Sequence, residues 1–507
     1  MGNVLIKEET MTAIAEAIRE KQGSEELYKP AEMPEEIRSI KTGGFAEPVG
    51  RANRFDPIRF YGAYGELLYS YTLEEFAEVT ELPALPEYDG LLPQEWNWTL
   101  EKIKAVNGEV EIGSLHITDD GSTRIYFRLV EGALSPRVGF VQNRAKAVWI
   151  DWGDGSELET SDTYGDEAIV SMGHHYAEVG EYVIRLVPEE DAIFTFVGNT
   201  YSGLVLHEDI SLSSGLNLGY LNTVSKIELG TNITELGKNS FGDSSVEYVI
   251  MPKHITDIKS AFNSAKGLKY FVFPRGVTTT SDYVFYSCKS LQKVVFSETK
   301  CSINSGAFRY CSALLEFIMA SNSAFYGTYT FADCTGLKRA VLPTGVTSRG
   351  GDMFVNDIAL CDVVVRSELK QVSNRVFSGC ESMKYFELPD NVYSLGGSVF
   401  SKCYSLQHFR IPKNVSTISS SVFDSCYSLK EIVIHEEISK IEAKAFSGCN
   451  SMKNYYLHRT TPPTLANTNA LTVGEGCKIH VPKGCLEAYQ TATNWSAYAD
   501  YMVEMEE

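Results

Sequence analysis

Residues 421–453 read SVFDSCYSLKEIVIHEEISKIEAKAFSGCNSMK, and this stretch carries one pattern twice, 23 residues apart. Phe423 returns as Phe446, Cys426 as Cys449 and Leu429 as Met452. Followed outward, Phe262, Phe285, Phe308, Phe331, Phe354, Phe377, Phe400, Phe423 and Phe446 keep the 23-residue interval, and Phe241 stands 21 residues ahead of the first. A fixed period of roughly 20–50 residues marks a solenoid or array, because one repeat cannot bury its apolar side alone and must stack on its neighbours.

Three residues after the Phe comes Cys at 288, 311, 334, 380, 403, 426 and 449, with Asp357 breaking the run. Six residues after it comes Leu268, Leu291, Leu314, Leu337, Leu360, Met383, Leu406, Leu429 or Met452. Apolar residues locked to the repeat must point into a shared core. Nine to eleven residues after the Phe lies a strand-like run, such as Phe271-Val272-Phe273, Val363-Val364-Val365 and Ile432-Val433-Ile434. Strand alternation places the first and third of each run inside and the middle one outside. Pro274, Pro343, Pro389 and Pro412 end such runs, where a turn needs no amide donor. Each repeat is therefore one strand of a parallel sheet, a turn and a short return.

The seven repeated cysteines read as buried small apolar residues, since thiols are among the most buried side chains. One cysteine per coil does not gather four ligands around a point, so no metal is expected. A ladder with this spacing is a poor disulfide framework, although bonds between neighbouring coils are the competing reading.

This pattern, over roughly residues 221–457, resembles the BspA-like leucine-rich repeat. The resemblance implies a leucine-rich-repeat solenoid and says little about a ligand. Three segments depart from it, SETKCSI at 297–303, ASNSAFY at 320–326 and RSELKQV at 366–372. Beyond the period, residues 458–507 carry Thr461-Pro462-Pro463, a strand Cys477–Pro482 and a helix from Leu486, and TPPTL…CKIHVPKGCLEAYQTATNWSAYAD resembles the usual terminus of such proteins. A solenoid needs a cap over its last coil, and Trp495 and Tyr498 suit cap packing better than a ligand platform.

In the front half, Ile6, Ile14, Ala17 and Ile18 lie at helical spacing, and Thr42-Gly43-Gly44 reads as a linker. A stripe so short is not stable alone, so residues 1–44 are expected to attach to something. Trp96 and Trp98 look like core anchors of a small α/β unit over 45–121, with Asp119-Asp120-Gly121 a hairpin-type turn. Residues 1–130, from LIKEETMTAIAEAIREK to ITDDGSTRIYFRL, resemble the N-terminal segments of tail and virion-attached proteins of phages that infect Gram-positive gut bacteria. VWIDWGDGSE followed by HHYAEVGEYVIRL resembles a PKD domain, which implies an immunoglobulin-like β-sandwich over 122–199. There Asp151 and Asp154 read as turn residues that bind local amides rather than as a catalytic pair or a calcium site. His174 and His175 are adjacent, so on a strand they point to opposite faces and cannot share one ion.

The fold class expected is thus multidomain α+β. An N-terminal helical segment (1–44), a small α/β unit (45–121) and the β-sandwich (122–199) precede the solenoid (200–457) and its cap (458–507).

The formal charge is −21, and residues 1–120 hold 11 Lys+Arg against 24 Asp+Glu. Nucleic acid is not expected as a partner, because phosphate contacts need clustered basic side chains. No run reaches the roughly 18 apolar residues of a membrane span, and the first residues lack the layout of a secretion signal, so synthesis in a bacterial cytoplasm and release by lysis are expected. No Ser/His/Asp set, HExxH, Walker loop or strand-linked GxGxxG stands out, so neither catalysis nor a cofactor is expected. The leading expectation is a virion-associated adhesin, a tail, baseplate or head-fibre component that forms homo-oligomers and binds a host surface protein or glycan. A structural virion protein and a bacterial BspA-type surface adhesin are the alternatives.

The outward rows of the sheet carry the site expectations. Eight residues after each Phe stand Tyr270, Lys293, Glu316, Arg339, Asp362, Tyr385, His408, Glu431 and Asn454; ten after it stand Val272, Val295, Ile318, Val341, Val364, Glu387, Arg410, Val433 and Tyr456. The β-branched run Val272, Val295, Ile318, Val341 and Val364 is assigned to an interface with another subunit or domain, since contiguous outward apolar surface marks contact. Tyr385, His408, Arg410, Glu431 and Tyr456, where the rows turn polar and aromatic, are assigned to a ligand.

Overall fold

A computed structural model describes residues 52–129, 137–142, 147–160, 168–189, 194–195, 224–319, 324–325, 327–342, 350–365 and 369–506. The expected attachment helix and linker of residues 1–44 lie outside the described residues.

From residue 224 onward the chain coils, and the Phe column is its axis. Phe285 and Phe308 stack with centroids 5.2 Å apart, as do Phe308 and Phe331 with rings 3° from parallel. The stack continues through Phe354, Phe377, Phe400 and Phe423 to Phe446, every ring buried. Burying such a ring contributes about 1.5–3 kcal/mol, and the 23-residue period repeats that contribution coil by coil. The cysteines stand beside the rings and are equally buried. Cys288 Sγ donates to the Phe262 carbonyl at 3.0 Å and Cys449 Sγ to the Phe423 carbonyl at 3.2 Å, the same 26-residue step. Among the described residues no cysteine is in a disulfide.

Each Phe is bracketed by backbone in the left-handed region. Ser421 (φ 57°) and Ser425 (φ 63°) flank Phe423, and Ser398 and Lys402 flank Phe400 in the same way. These tight corners turn the return segment twice within five residues. The sequence pattern does not announce them, since Gly fills the slots only at 306, 379 and 448.

The front of the chain makes two further bodies. Strands β1 (Ile58–Tyr61), β2 (Leu67–Tyr71), β3 (Leu91–Trp96) and β4 (Val110–Thr118) form a sheet in the order β2-β1-β4-β3. Two short helices, α1 (Leu73–Ala77) and α2 (Leu100–Ala105), are capped by Thr72 and Thr99. Phe60, Phe76, Trp96, Ile103, Val110 and Ile112 make the core of this α/β unit.

Strands β5 (Thr123–Leu129), β6 (Arg137–Gln142), β7 (Val148–Asp151), β8 (Glu159–Thr160), β9 (Ala168–Gly173), β10 (Gly180–Pro188) and β11 (Phe194–Thr195) follow. β11-β6-β9 form one sheet, while β5-β10-β7-β8 belong to a larger one. That larger sheet runs straight into the solenoid. β5 pairs antiparallel with β12 (Val224–Glu228), the first solenoid strand, which then pairs parallel with β13 (Tyr248–Ile250), β14 (Tyr270–Val272) and β15 (Lys293–Val295) in turn. Hydrogen bonding thus joins β5 directly to the first solenoid strand.

Asp119-Asp120-Gly121 is a corner rather than a hairpin turn. It connects β4 to β5, but the two strands lie in different sheets. Arg124 holds this corner, reaching Asp120 at 3.0 Å, the Gly90 carbonyl at 2.8 Å and Asp119.

At the other end the sheet extends through the cap. The strand Lys478–Val481 pairs parallel with Asn454–Leu457, and Met502–Glu504 pairs with Lys478–Val481. Trp495 is buried and its Nε1 donates to the Pro463 carbonyl at 2.7 Å. Among the described residues no helix is long and apolar enough to cross a membrane.

Candidate functional site

The outward face of the solenoid sheet is divided by what lies on it. β4 is buried along its whole length because it has two apolar neighbours. Val110 and Ile112 face the core of the α/β unit, while Leu115 and Tyr61 join the solenoid's own cluster with Tyr270 and Val272. Gly113 lies against Val272 so closely that a Cβ there would stand 2.6 Å from a Val272 methyl. Val272, Val295, Ile318 and Val341 are all buried, and Val364, at the margin, is half-buried. The chain's own α/β unit therefore sits over the first part of this face.

Polar contacts fix the unit in place. Trp98 Nε1 donates to the Phe296 carbonyl at 2.7 Å, and Asn97 Nδ2 to the Phe273 carbonyl at 3.1 Å. The Thr99 amide and hydroxyl both donate to Glu298 at 2.7 Å. Along the first outward row charge alternates in sign: Lys293 meets Glu316 at 2.6 Å, and Arg339 meets Asp362 at 2.6 Å. The unit adds carboxylates to the cations, Glu111 to Lys293 at 2.7 Å and Glu109 to Arg339 at 2.7 Å. Arg59 reaches both glutamates, at 3.4 and 3.3 Å, and the Tyr61 hydroxyl donates to Glu111 at 3.0 Å.

Burial alone would raise the Glu316 carboxyl. Lys293 and then Arg59 overcome it and hold that carboxyl down at about 2. Burial likewise works against the Lys293 ammonium, but Glu111, Tyr61 and Glu316 keep its pKa above the usual lysine range.

Beyond Asp362 the face is exposed. Tyr385 (47 % exposed) pairs in register with His408 and stacks on it at 5.9 Å, rings 6° from parallel. Its hydroxyl donates to Gln407 at 3.1 Å. His408 Nδ1 is 4.0 Å from Glu431. In the second row Arg410 pairs with Asp390, Val433 is 51 % exposed, and Tyr456 stacks on His480 at 4.5 Å. Tyr385, His408, Arg410, Glu431 and Tyr456 thus share one face across four successive coils. His480 belongs with them, anchored at Nε2 by Asn454 at 2.9 Å, with its pKa lowered by partial burial and by Lys478. It lies past the end of the 23-residue period, where only the alternation in Lys478-Ile479-His480-Val481 could have pointed to it. Flat imidazole and phenol rings beside a guanidinium and carboxylates can stack on and hydrogen-bond a polar ligand.

Asp151 and Asp154 take up local turn roles. Asp151 accepts from the Gly153 amide at 2.9 Å and Asp154 from the Ser156 amide at 3.0 Å. Ser156 and His174 together hold the Asp154 carboxyl down at about 2. His174 stacks on Trp152 at 5.0 Å, while its neighbour His175 is exposed.

Six overlapping copies of the BspA type leucine rich repeat region match over residues 219–315, 259–384 and 350–463. Residues 219–463 are a BspA-type leucine-rich repeat region. This region holds both the covered and the exposed parts of the sheet face. Among solved structures, a leucine-rich repeat protein from Bacteroides ovatus is 16 % identical over 50 % of this chain and 73 % of its own, with a TM-score of 0.37. The leucine rich repeat protein of T. pallidum is 23 % identical over 31 % of this chain and 72 % of its own, with a TM-score of 0.28. A leucine rich cell surface protein from Faecalibacterium prausnitzii is 19 % identical over 56 % and 89 %, with a TM-score of 0.31. No curated protein matches the chain.

Proposed function

We propose that this protein is a non-enzymatic adhesin of the BspA-like bacterial-surface type, which presents the exposed part of its solenoid sheet to a host-surface protein or glycan. The observation that carries this reading is the division of one continuous face. The α/β unit lies on strands β13 to β15, over Val272 and Val295, while Tyr385, His408, Arg410 and Glu431 are exposed and Tyr456 is half-buried beside His480. Aromatic and Arg side chains dominate binding energy at protein interfaces, and here they are set on successive parallel strands of the coils. The α/β unit serves as a buttress, and no catalysis, cofactor, nucleic-acid partner or membrane insertion is assigned to the chain.

A second reading places the same adhesin on a virion, as a homo-oligomer joined to the particle through its N-terminal segment. It is favoured by the likeness of residues 1–130 to virion-attached proteins; the PKD-like stretch around Asp151 and His174 would then be a spacer. Immunogold labelling of producing cells and of purified particles separates the two, with label on the cell envelope supporting the first.

The binding face is tested by joint Tyr385→Ala and Arg410→Ala changes. Both side chains are exposed, so Tm is expected to stay within a few degrees while binding to host envelope fractions falls at least tenfold. Full retention of binding would move the site elsewhere.

A further inference from the structure

A second surface, on the corners that carry the Phe column, holds an anomaly in residue choice. The left-handed slots before and after each Phe are filled in most coils by Asn, Asp, Ser, Gly, Lys or Arg. In three consecutive coils they hold Tyr283 (φ 60°), Tyr310 (φ 66°) and Tyr329 (φ 59°). Bulky aromatic residues are uncommon in this region of backbone space, and strained residues concentrate where a ligand is engaged. Their rings do not repay the strain as core, because Tyr283 is 43 % exposed and the other two are half-buried.

The rings form one connected ridge. Tyr283 meets Tyr286 edge-on at 5.6 Å, and Tyr286 meets Tyr310 edge-on at 5.4 Å. The Arg309 guanidinium lies 4.7 Å from the Tyr310 ring centre and 4.9 Å from that of Tyr329. It is held by Asp333 at 3.1 Å and donates to the Tyr310 hydroxyl at 3.0 Å. At the slot between Tyr283 and Tyr329 stands Gly306, where a Cβ would come within 2.5 Å of the Tyr283 ring. A side chain there would push that ring off its seat, so the glycine lets it lie down.

We propose that this ridge is a binding site for a neutral oligosaccharide. A sugar ring offers an apolar C–H face edged by hydroxyls, and the ridge offers aromatic rings edged by phenol oxygens, a guanidinium and a carboxylate. The charge of Arg309 is already balanced by Asp333, which removes the attraction an anionic ligand would need. The site is separate from the Tyr385–Tyr456 face and does not depend on the reading given to it.

The test is titration of the whole protein with hexasaccharides of β-1,4-linked glucose, β-1,4-linked N-acetylglucosamine and α-1,4-linked glucose, followed by calorimetry and tyrosine fluorescence. At least one is expected to bind and to lose tenfold or more in affinity in the Tyr283→Asn, Tyr329→Asn double variant. Asn accepts the left-handed backbone, so the Tm of that variant is expected to hold or rise. The Tyr385→Ala, Arg410→Ala variant is expected to keep this binding. Absence of binding by every hexasaccharide, or undiminished binding in the Asn variant, overturns the proposal. A marked fall in the Tm of the Asn variant also overturns it, because the tyrosines would then be structural.

Discussion

Trp98 Nε1 donates a hydrogen bond of 2.7 Å to the carbonyl oxygen of Phe296, across 198 residues of sequence, with both side chains buried. The bond serves two needs at once. It satisfies an indole that would otherwise be an orphan donor, and it occupies the carbonyl of a residue just past β15. The α/β unit is therefore bound to the solenoid by directed bonds as well as by apolar contact.

Trp98→Phe is expected to destabilise this docking by about 1–3 kcal/mol, since the Phe296 carbonyl keeps its burial and loses its partner. Hydrogen exchange checks it: amides of 58–118 and of β14 and β15 should exchange faster, while those around Phe423 and Phe446 stay protected. Uniform exchange throughout the variant would contradict the local role.

Acid should loosen the same interface through Glu316. A carboxyl held below its ordinary value of 4.5 contributes stability that is complete above that value and lost as pH falls toward about 2. Glu316→Gln is expected to lower Tm at pH 7 and to flatten its decline between pH 4.5 and 2. Lys293→Met should cost more at neutral pH, about 3–5 kcal/mol, because Glu111 and Glu316 would be left buried without their shared cation. Thermal melts of the three proteins across pH read both effects.

The cysteine ladder should be inert. Burial pushes the Cys403 and Cys449 thiols up to about 12 and raises those of Cys311, Cys334, Cys380 and Cys426 well above the usual thiol range, which leaves almost no thiolate at neutral pH. Maleimide labelling followed by mass spectrometry is expected to modify the exposed Cys361 in the native protein and the seven ladder cysteines only after denaturation. Rapid native labelling of several ladder positions would show that the coils open readily.

Asp357 occupies the ladder position of a cysteine and is the place to stabilise the solenoid. Its Oδ1 accepts from the Cys334 amide at 2.7 Å, its Oδ2 is buried without a partner, and burial pushes its carboxyl well above the usual range. A carboxyl raised in this way contributes stability below its ordinary value that is lost as pH rises through the folded value. Asp357→Cys should remove that loss and place a thiol where the 26-residue rule puts it beside the Phe331 carbonyl. The Cys334 amide keeps its bond to Phe331 at 3.1 Å. A gain of about 1–3 kcal/mol at pH 7, seen as a Tm higher by a few degrees, is expected.

What the sequence determined by itself is the solenoid. A residue that recurs every 23 positions meets its own copy in the next coil, so the Phe stack, the cysteine ladder and the inward and outward rows follow from nearest-neighbour packing alone. The outward positions of Val272 and Tyr385 were legible for the same reason, since alternation along a strand is local. The tertiary structure decided which outward residues are covered. Val272 and Arg410 stand on equivalent face positions, each ten residues after its Phe, yet one lies under Gly113 and the other in solvent, because β4 reaches only as far as its own length and the charge pairs of Glu109 and Glu111 allow. The left-handed corners, the change of sheet at Asp119-Asp120-Gly121 and the joining of β5 to β12 were not legible either. They depend on partners about a hundred residues away or on backbone angles that many side chains can adopt, and neither leaves a periodic mark on the chain.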